Sequence, residues 1–283
     1  MTDFVLTIAC PDRPGIVAHV SDYLSQNGMN ITESHQFGSP ETKRFFMRVG
    51  FESLGSNPDL KFMAKDFAPI SDKFDMQAKF YDMAEKPKAL VLVSKFDHCL
   101  VDLLYRTRVG ALNMEIAAVF SNHLDTQKLV EQEGIPFHHA QVDKQTKAAA
   151  ESEIRELIAR HDSELIILAR YMQVLSADLA RDFPGQIINI HHSFLPSFKG
   201  AVPYSRAFER GVKMIGATAH YVTENLDEGP IIAQNVAPVR HDMTVEKMVL
   251  VGREVEQQVL ANAVDAHINH RVLINSHKTV VFD

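Results

Sequence analysis

Residues 187–200 read IINIHHSFLPSFKG, an apolar run that changes abruptly into polar side chains. Three apolar runs precede it, ALVLVS (89–94), MEIAAVF (114–120) and LIILA (165–169), and helical segments separate them, one of which spans about 146–160. Near-continuous apolar strands that alternate with helices indicate a mostly parallel sheet covered on both faces. The sequence therefore predicts an α/β domain in which IINI is a buried strand.

The chain downstream of this segment continues the same domain. Two further strands are predicted near 213–222 and 230–239, a long helix follows from about Thr244 to His267, and short strands come last. The catalytic domain is therefore predicted to span 89–283.

The first part of the chain has a different pattern. Strands fit at 3–9, 29–38, 43–51 and 75–82, and helices fit from Ile16 to Asn27-Gly28 and around 58–71. This β-α-β-β-α-β order predicts a small ferredoxin-like domain over 1–83. The charged stretch AEKPK (84–88), which contains Pro87, is the predicted linker.

Charge and cysteine content exclude several classes of protein. The net charge of -7 argues against nucleic acid or an anionic membrane as a partner, because both attract a surplus of Lys and Arg. Cys10 and Cys99 fall in different predicted domains, so we expect reduced thiols and a cytoplasmic protein. No signal peptide or membrane span is predicted.

Two polar clusters follow apolar strands, at the strand ends where α/β domains usually bind ligands. Asn189, His191 and His192 follow the first strand, and HYVTENLDEGP (220–230) follows a later one. Either cluster alone is compatible with an ordinary loop. Their coincidence at two strand ends predicts a site.

These segments resemble the folate-dependent formyltransferases and hydrolases. NIHHSFLPSFKG (189–200) is similar to that family's Asn-x-His-x-Ser-x-Leu-Pro-x-Phe-x-Gly segment, and LDEGPIIAQ (226–234) to its Leu-Asp-x-Gly-Pro-Ile-Ile loop. GVKMIGATAHYV (211–222) resembles the connecting strand. The resemblance covers essentially all of 88–283 and implies a Rossmann-like, mostly parallel sheet of the formyltransferase type.

The resemblance implies that Asn189, His191 and Asp227 are the catalytic residues. Attack on a formyl carbon places charge on its oxygen, which amide and imidazole donors stabilise, and we expect Asn189 and His191 to supply them. Asp227 is expected to orient and deprotonate water. Which group protonates the leaving nitrogen, and the protonation state of His191, stay open. Ser193, Leu195, Pro196 and Gly200 are expected to shape the loop.

The resemblance also implies a folate pocket. ARYMQVLS (169–176) is similar to the family's folate-binding stretch, which makes Met172, Gln173 and Leu175 candidates. Ordinary core packing is the alternative for each of them. The loop TENLD (223–227) is expected to close the other side of the pocket through Glu224 and Leu226.

One departure from the family favours hydrolysis over transfer. Members that formylate a ribonucleotide carry a glycine-rich phosphate loop after the first strand of this domain, whereas here the place reads SKFDHCLVDLL (94–104). Lys95 still offers charge, so this weakens transfer without excluding it. We expect hydrolysis of 10-formyltetrahydrofolate to tetrahydrofolate and formate, which links one-carbon pools to purine synthesis.

The N-terminal stretch CPDRPGIVAHVSDYLSQNGMNI (10–31) resembles the start of an ACT domain, an amino-acid-sensing module. The resemblance implies a homo-oligomer, dimer or tetramer, and an effector such as glycine or methionine. The implied effector site comprises Asp12, Arg13, Pro14 and Gly15 with Asn27, Gly28 and Asn30. A dimerisation module that binds nothing is the alternative.

No metal or other cofactor is expected. The pairs His138-His139 and His191-His192 raise a zinc hypothesis, but His-Glu-x-x-His and Cys-x-x-Cys are absent from the sequence. In a strand, the side chains of the adjacent His191 and His192 point to opposite faces, which favours a structural role for His192.

Three other functions remain as alternatives. A formyltransferase to an amine acceptor such as a ribonucleotide requires a phosphate site. A transfer-RNA formyltransferase requires a basic appendage, which an acidic chain does not favour. A non-catalytic amino-acid sensor is disfavoured by the intact Asn189, His191 and Asp227.

Overall fold

The structure is a computed structural model that describes residues 3–196 and 203–283. The chain forms two compact units, of which the first comprises Met1–Lys86 with Asn269–Asp283 and the second comprises Pro87–Ile268. Gly200, in the predicted active-site loop, lies outside the described residues.

The first unit has the predicted ferredoxin-like order. Its elements up to Lys86 are β1 (Phe4–Pro11), α1 (Ile16–Gln26), β2 (Met29–Ser39), β3 (Arg44–Ser53), α2 (Leu60–Phe74) and β4 (Gln77–Asp82). The strands form one antiparallel sheet in the order β2-β3-β1-β4. Leu6 and Ile8 of β1 pack in one core cluster with Val20 of α1 and Phe67 of α2.

The second unit contains the mostly parallel sheet. Its strands are β5 (Lys88–Val93), β6 (Glu115–Ser121), β7 (Phe137–His139), β8 (Leu165–Leu168), β9 (Ile187–His191), β10 (Met214–Tyr221) and β11 (Ile231–Pro238). Its helices are α3 (His98–Arg108), α4 (Gln127–Gln132), α5 (Lys147–His161), α6 (Ala177–Asp182), α7 (Pro203–Arg210) and α8 (Val245–Ile268). The strand order is β11-β10-β9-β8-β5-β6-β7.

Burial explains why the strands of this sheet are so apolar. Every residue of β5 from Ala89 to Val93 is fully buried, as expected for a central strand that is covered on both faces. The five strands β9, β8, β5, β6 and β7 are parallel to one another, whereas β10 pairs antiparallel with both β9 and β11. The predicted fold class is confirmed for both units.

The antiparallel direction of β10 changes how the two polar clusters meet. The carboxyl ends of β8 and β9 lie at the same edge, but β10 runs the other way and pairs His220 with Asn189. The register of β10, rather than a shared edge, therefore brings the 220–230 cluster to the end of β9.

The last residues of the chain form the hairpin β12 (Val272–Asn275) and β13 (Lys278–Val281). The sequence placed them in the catalytic domain 89–283, whereas they pack within the first unit. Phe282 joins Ala9 and Phe46 in a second core cluster, and Arg48 Nε donates to the Asn269 carbonyl over 3.1 Å. The hairpin covers the sheet face that α1 and α2 leave open.

Among the described residues, no helix combines the length and the apolar character that crossing a bilayer demands.

Phe282→Ala should destabilise the first unit by about 3 kcal/mol, because it removes a buried aromatic ring from that second cluster. Hydrogen–deuterium exchange of peptides from β1 and β3 in the full chain measures the effect, and both should exchange faster. Phe62→Ala, at a side chain that is 63% exposed on α2, is the control and should leave exchange unchanged. Equal protection in both variants would refute the packing role of the hairpin.

Candidate active site

The end of β9 carries the first polar side chains of the site. Leu168, the last residue of β8, pairs with Asn189, so β9 extends two residues beyond its neighbour. Asn189 and His191 are two residues apart in the strand and therefore share one face. Both line a cavity of about 520 Å³ whose walls are the segments 168–175, 189–192 and 220–227.

Thr218 fixes the loop that leaves β9. Its buried hydroxyl donates to the Ser193 carbonyl over 2.9 Å and accepts from the Leu195 amide at 3.0 Å and from Gln234 Nε2 at 2.9 Å. Leu195 is also buried. Ser193 and Leu195 therefore occupy structural positions.

His220 orients the Asn189 amide. Its Nδ1 lies 2.9 Å from the carbonyl of Tyr221, which requires a proton on Nδ1 and leaves a lone pair on Nε2. Asn189 Nδ2 lies 3.2 Å from that Nε2 and donates to it. Burial lowers the pKa of His220, which favours this neutral form. Asn189 Nδ2 has a second hydrogen for a ligand.

Asp227 holds His191 from the loop after β10. His191 Nδ1 is 3.2 Å from Asp227 Oδ1, and the two side chains are only 9% and 13% exposed. Asp227 has a backbone φ of 58°, a left-handed conformation that is uncommon outside glycine and concentrates at functional sites. His191 Nε2 is buried and has no hydrogen-bond partner within the described chain.

His192 lies on the same side as His191, contrary to the prediction from strand alternation. β9 ends at His191, so the alternation stops there, and the two rings stack with centroids 5.2 Å apart. His192 also lines the cavity. Burial, with added repulsion from Arg170 and His191, lowers its pKa to about 4, so the ring is neutral at neutral pH.

The predicted folate residues all line the same cavity. Met172 is 52% exposed and Leu226 is 60% exposed, so core packing does not explain either position. Leu175 does pack against a core cluster, as the alternative for it proposed. Gln173 and Glu224 complete the set, and Glu224 Oε1 lies 3.5 Å from Arg181 Nε.

A group of charged residues behind the cavity was missed from the sequence. Arg170 lines the cavity, and its Nε lies 3.2 Å from Glu256 Oε2 of α8. Glu256 also accepts from His98 Nε2 at 2.8 Å and from the Tyr204 hydroxyl at 2.6 Å. The only sequence signal was an acidic residue at a buried position of α8.

His98, Cys99 and Glu256 are the one group of three potential metal ligands found in the described chain, with ligand atoms within 4.8 Å of one another. Their chemistry does not suit a cation. Burial raises the pKa of the Cys99 thiol well above its ordinary value, and the Glu256 carboxylate already faces a guanidinium. The two histidine pairs considered from the sequence form no such group.

The loop after β5 leads directly into α3, and none of residues 94–104 is a glycine. Ser94 Oγ donates to Asn122 Oδ1 over 2.7 Å and accepts from the Met172 amide at 2.9 Å. Ser94 of this loop therefore holds the predicted folate-binding stretch in place at Met172.

In the first unit, the predicted effector residues lie at the two ends of α1. Asp12, Arg13, Pro14 and Gly15 precede the helix, where Gly15 has a φ of 94°. Asn27, Gly28 and Asn30 follow it, and Asn30 Nδ2 donates to Glu52 Oε1 over 2.8 Å. An eleven-residue helix is roughly 16 Å long, so one small amino acid cannot contact both groups within one chain.

Comparisons with known proteins cover both units. A formyl transferase family model matches residues 87–264, and an ACT domain model matches residues 4–54. A formyltetrahydrofolate deformylase of Bacillus subtilis (strain 168) is 46% identical over 279 residues, covering 98% of this chain and 93% of the relative. That of Escherichia coli (strain K12) is 39% identical over 277 residues, covering 98% and 97%.

Solved structures give the same result. A formyltetrahydrofolate deformylase from Pseudomonas syringae pv. tomato superposes with a TM-score of 0.96 at 46% identity, covering 99% of this chain and 94% of that one. A glycinamide ribonucleotide transformylase from Symbiobacterium toebii gives 0.66 at 28% identity and covers 72% of this chain and 97% of its own.

His192→Gln should remove an acid-sensitive contribution to stability. The pKa is about 4 in the folded chain and near 6.5 in an unfolded one, so the unfolded state binds the proton first as pH falls. The contribution is complete above pH 6.5 and is lost toward pH 4. When the pH is lowered from 7 to 5, the free energy of unfolding measured with urea should fall by about 2 kcal/mol more in the wild type than in the variant.

Between pH 7 and 8 the same comparison should give a difference of only about 0.1 kcal/mol, because His192 is mostly neutral in both states there. A wild-type stability that falls no more steeply than that of the variant between pH 7 and 5 would contradict the assignment.

Proposed function

The chain belongs to the formyltetrahydrofolate deformylase family, and we propose from this that it hydrolyses 10-formyltetrahydrofolate to tetrahydrofolate and formate. The relatives with this name match nearly the whole chain, including the ACT domain, whereas the transformylase structure matches only 72% of it. Hydrolysis is therefore favoured over transfer to an amine acceptor, and the non-catalytic sensor is disfavoured.

One observation supports the catalytic assignment above all others. Asn189, His191 and Asp227 come from different elements and meet in one cavity, where His191 Nδ1 is 3.2 Å from Asp227. Because Asp227 engages Nδ1, the buried Nε2 is the ring atom left for the substrate.

The formyl oxygen is polarised by two donors. Asn189 donates the Nδ2 hydrogen that His220 does not take, and His191, whose Nδ1 faces Asp227, donates from Nε2. Both donors are fixed before the substrate binds, so negative charge that develops on the oxygen meets groups that need no reorganisation.

Asp227 activates the water. Its Oδ1 holds His191, and the second carboxylate oxygen accepts a proton as the water oxygen attacks the formyl carbon. The carbon–nitrogen bond then breaks, and the leaving nitrogen takes a proton from His191 Nε2. The proton that Asp227 took from water passes back to His191, and the formic acid ionises, so the net products are tetrahydrofolate, formate and one proton released to solvent.

Met172, Gln173, Leu175, Glu224 and Leu226 are the residues that we assign to folate binding. The exposed apolar surfaces of Met172 and Leu226 are suited to the faces of an aromatic ring system, and Gln173 and Glu224 offer polar groups to its edge. We assign no metal or other cofactor to this reaction. We place the enzyme in the cytoplasm, where its free cysteines, Cys10 and Cys99, stay reduced.

The pure full chain should release formate from 10-formyltetrahydrofolate in water, with no amine acceptor present. Asp227→Asn should lower kcat by about 10²–10⁴-fold while folate still binds, because the amide cannot accept the proton from water. Glu228→Gln changes a neighbouring carboxylate outside the cavity wall and should keep a near wild-type rate. An absence of formate when no amine acceptor is added would refute hydrolysis.

We further propose that a small amino acid, glycine or methionine, controls the enzyme through the ACT domain. The effector residues lie at opposite ends of α1, so a ligand that contacts both groups needs a second copy of the chain. This supports a homo-oligomer, a dimer or a tetramer.

Titration of the full chain with glycine and with methionine should shift its activity or its thermal stability. Asn30→Ala should weaken that response, whereas Asn57→Ala, at an exposed loop position of the same unit, should retain it. An unchanged response in Asn30→Ala would remove that residue from the effector site.

A further inference from the structure

Arg170 is a charged residue in the cavity wall for which the reaction described above has no use. Only 8% of the residue is exposed, and within the described chain its Nη1 is buried without a hydrogen-bond partner. Buried guanidinium donors normally make hydrogen bonds, because burying a donor without a partner costs free energy. This nitrogen therefore has the capacity to bind a ligand.

The backbone conformation of Arg170 also supports a ligand-binding role. Its φ is 64°, in the left-handed region that side chains with a β-carbon disfavour. It follows Ala169 just after the end of β8, and it lines the cavity. Non-glycine residues in this conformation concentrate at ligand sites, because the surrounding structure must hold them there.

Glu256 anchors the guanidinium at one side. Its carboxylate lies 3.2 Å from Arg170 Nε and is itself held by His98 and Tyr204. Burial alone would raise the pKa of Glu256, but the His98 hydrogen bond and the Arg170 charge lower it below its ordinary value, so the carboxylate stays charged.

Gly252 allows this anchor to form. A β-carbon at Gly252 would lie 2.1 Å from the Tyr204 hydroxyl, so a larger residue would displace the tyrosine from Glu256. Glu256 lies 3.2 Å from Nε as an ion pair without a hydrogen bond, and neither Nε nor Nη1 has a hydrogen-bond partner within the described chain, so the guanidinium keeps donors for a planar anion.

We infer that Arg170 binds the formate anion in a subsite of this cavity. The inference rests on the proposed hydrolysis, which forms formate in the cavity that also holds the Asp227 carboxylate once that group has given up the proton it took from water. Like charges repel, and an arginine in the same cavity offers the paired, planar donors that match a carboxylate. His192 and His220 are neutral, so neither imidazole adds negative charge that would repel formate.

The test is formate binding to the folate-free full chain, followed by the line broadening of [¹³C]formate at constant ionic strength. Formate inhibition of turnover is measured in parallel. In Arg170→Gln, the dissociation constant and the inhibition constant for formate should both rise about tenfold or more, because a charge-assisted pair is lost. Arg170→Lys keeps the charge without the planar pair of donors and should give an intermediate increase.

Arg253→Gln is the matched control. Arg253 and Arg170 lie 5.2 and 5.9 Å from the same Phe96 ring, but Arg253 is not part of the cavity wall. Its loss should leave formate binding unchanged, which separates a specific contact from the general removal of positive charge.

The outcomes separate the subsite from the reaction. If the wild-type chain hydrolyses its substrate but formate binds equally well to all variants, or binds to none, the subsite is wrong and the hydrolase stands. If the wild-type chain produces no formate, the proposed function fails. If Arg170→Gln unfolds, Arg170→Lys decides, and an unchanged formate constant in it would overturn the inference.

Discussion

Asp227 Oδ1 lies 3.2 Å from His191 Nδ1, and this contact joins the end of β9 to the loop after β10. A histidine held at one nitrogen cannot rotate freely, so the position of Nε2 is fixed as well. The strand period then places Asn189 on the same face two residues earlier. One side-chain contact and one backbone geometry together produce two aligned donors, and Asp227 makes its contact from a left-handed backbone.

The electrostatic character of the cavity follows from which groups stay charged. Burial keeps His192 and His220 neutral, so they orient neighbours without adding fixed charge. Asp227 and Arg170 carry opposite charges, and each is held by a residue outside its own segment. A cavity arranged in this way can tolerate a reaction that begins with a neutral amide and ends with an anion.

The apolar runs predicted most of the fold, because fully buried parallel strands consist almost entirely of apolar residues. The catalytic residues were predictable where motifs follow strands, as at Asn189 and Asp227. Arg170 and Glu256 were not, since 86 residues separate them and only the packing of α8 brings them together. His192 was misjudged because its orientation depends on β9 ending at His191, and strand ends are not encoded by alternation.

The C-terminal hairpin was assigned by continuity along the chain to the wrong unit. A signal was present in β1, where Val5 and Ala9 make the second face apolar as well, which indicates a strand covered on both sides. That face is completed by residues that leave the ribosome only after the whole second unit. The first unit to emerge is therefore the last to gain its full core, and its unfinished sheet face must stay protected from aggregation during synthesis.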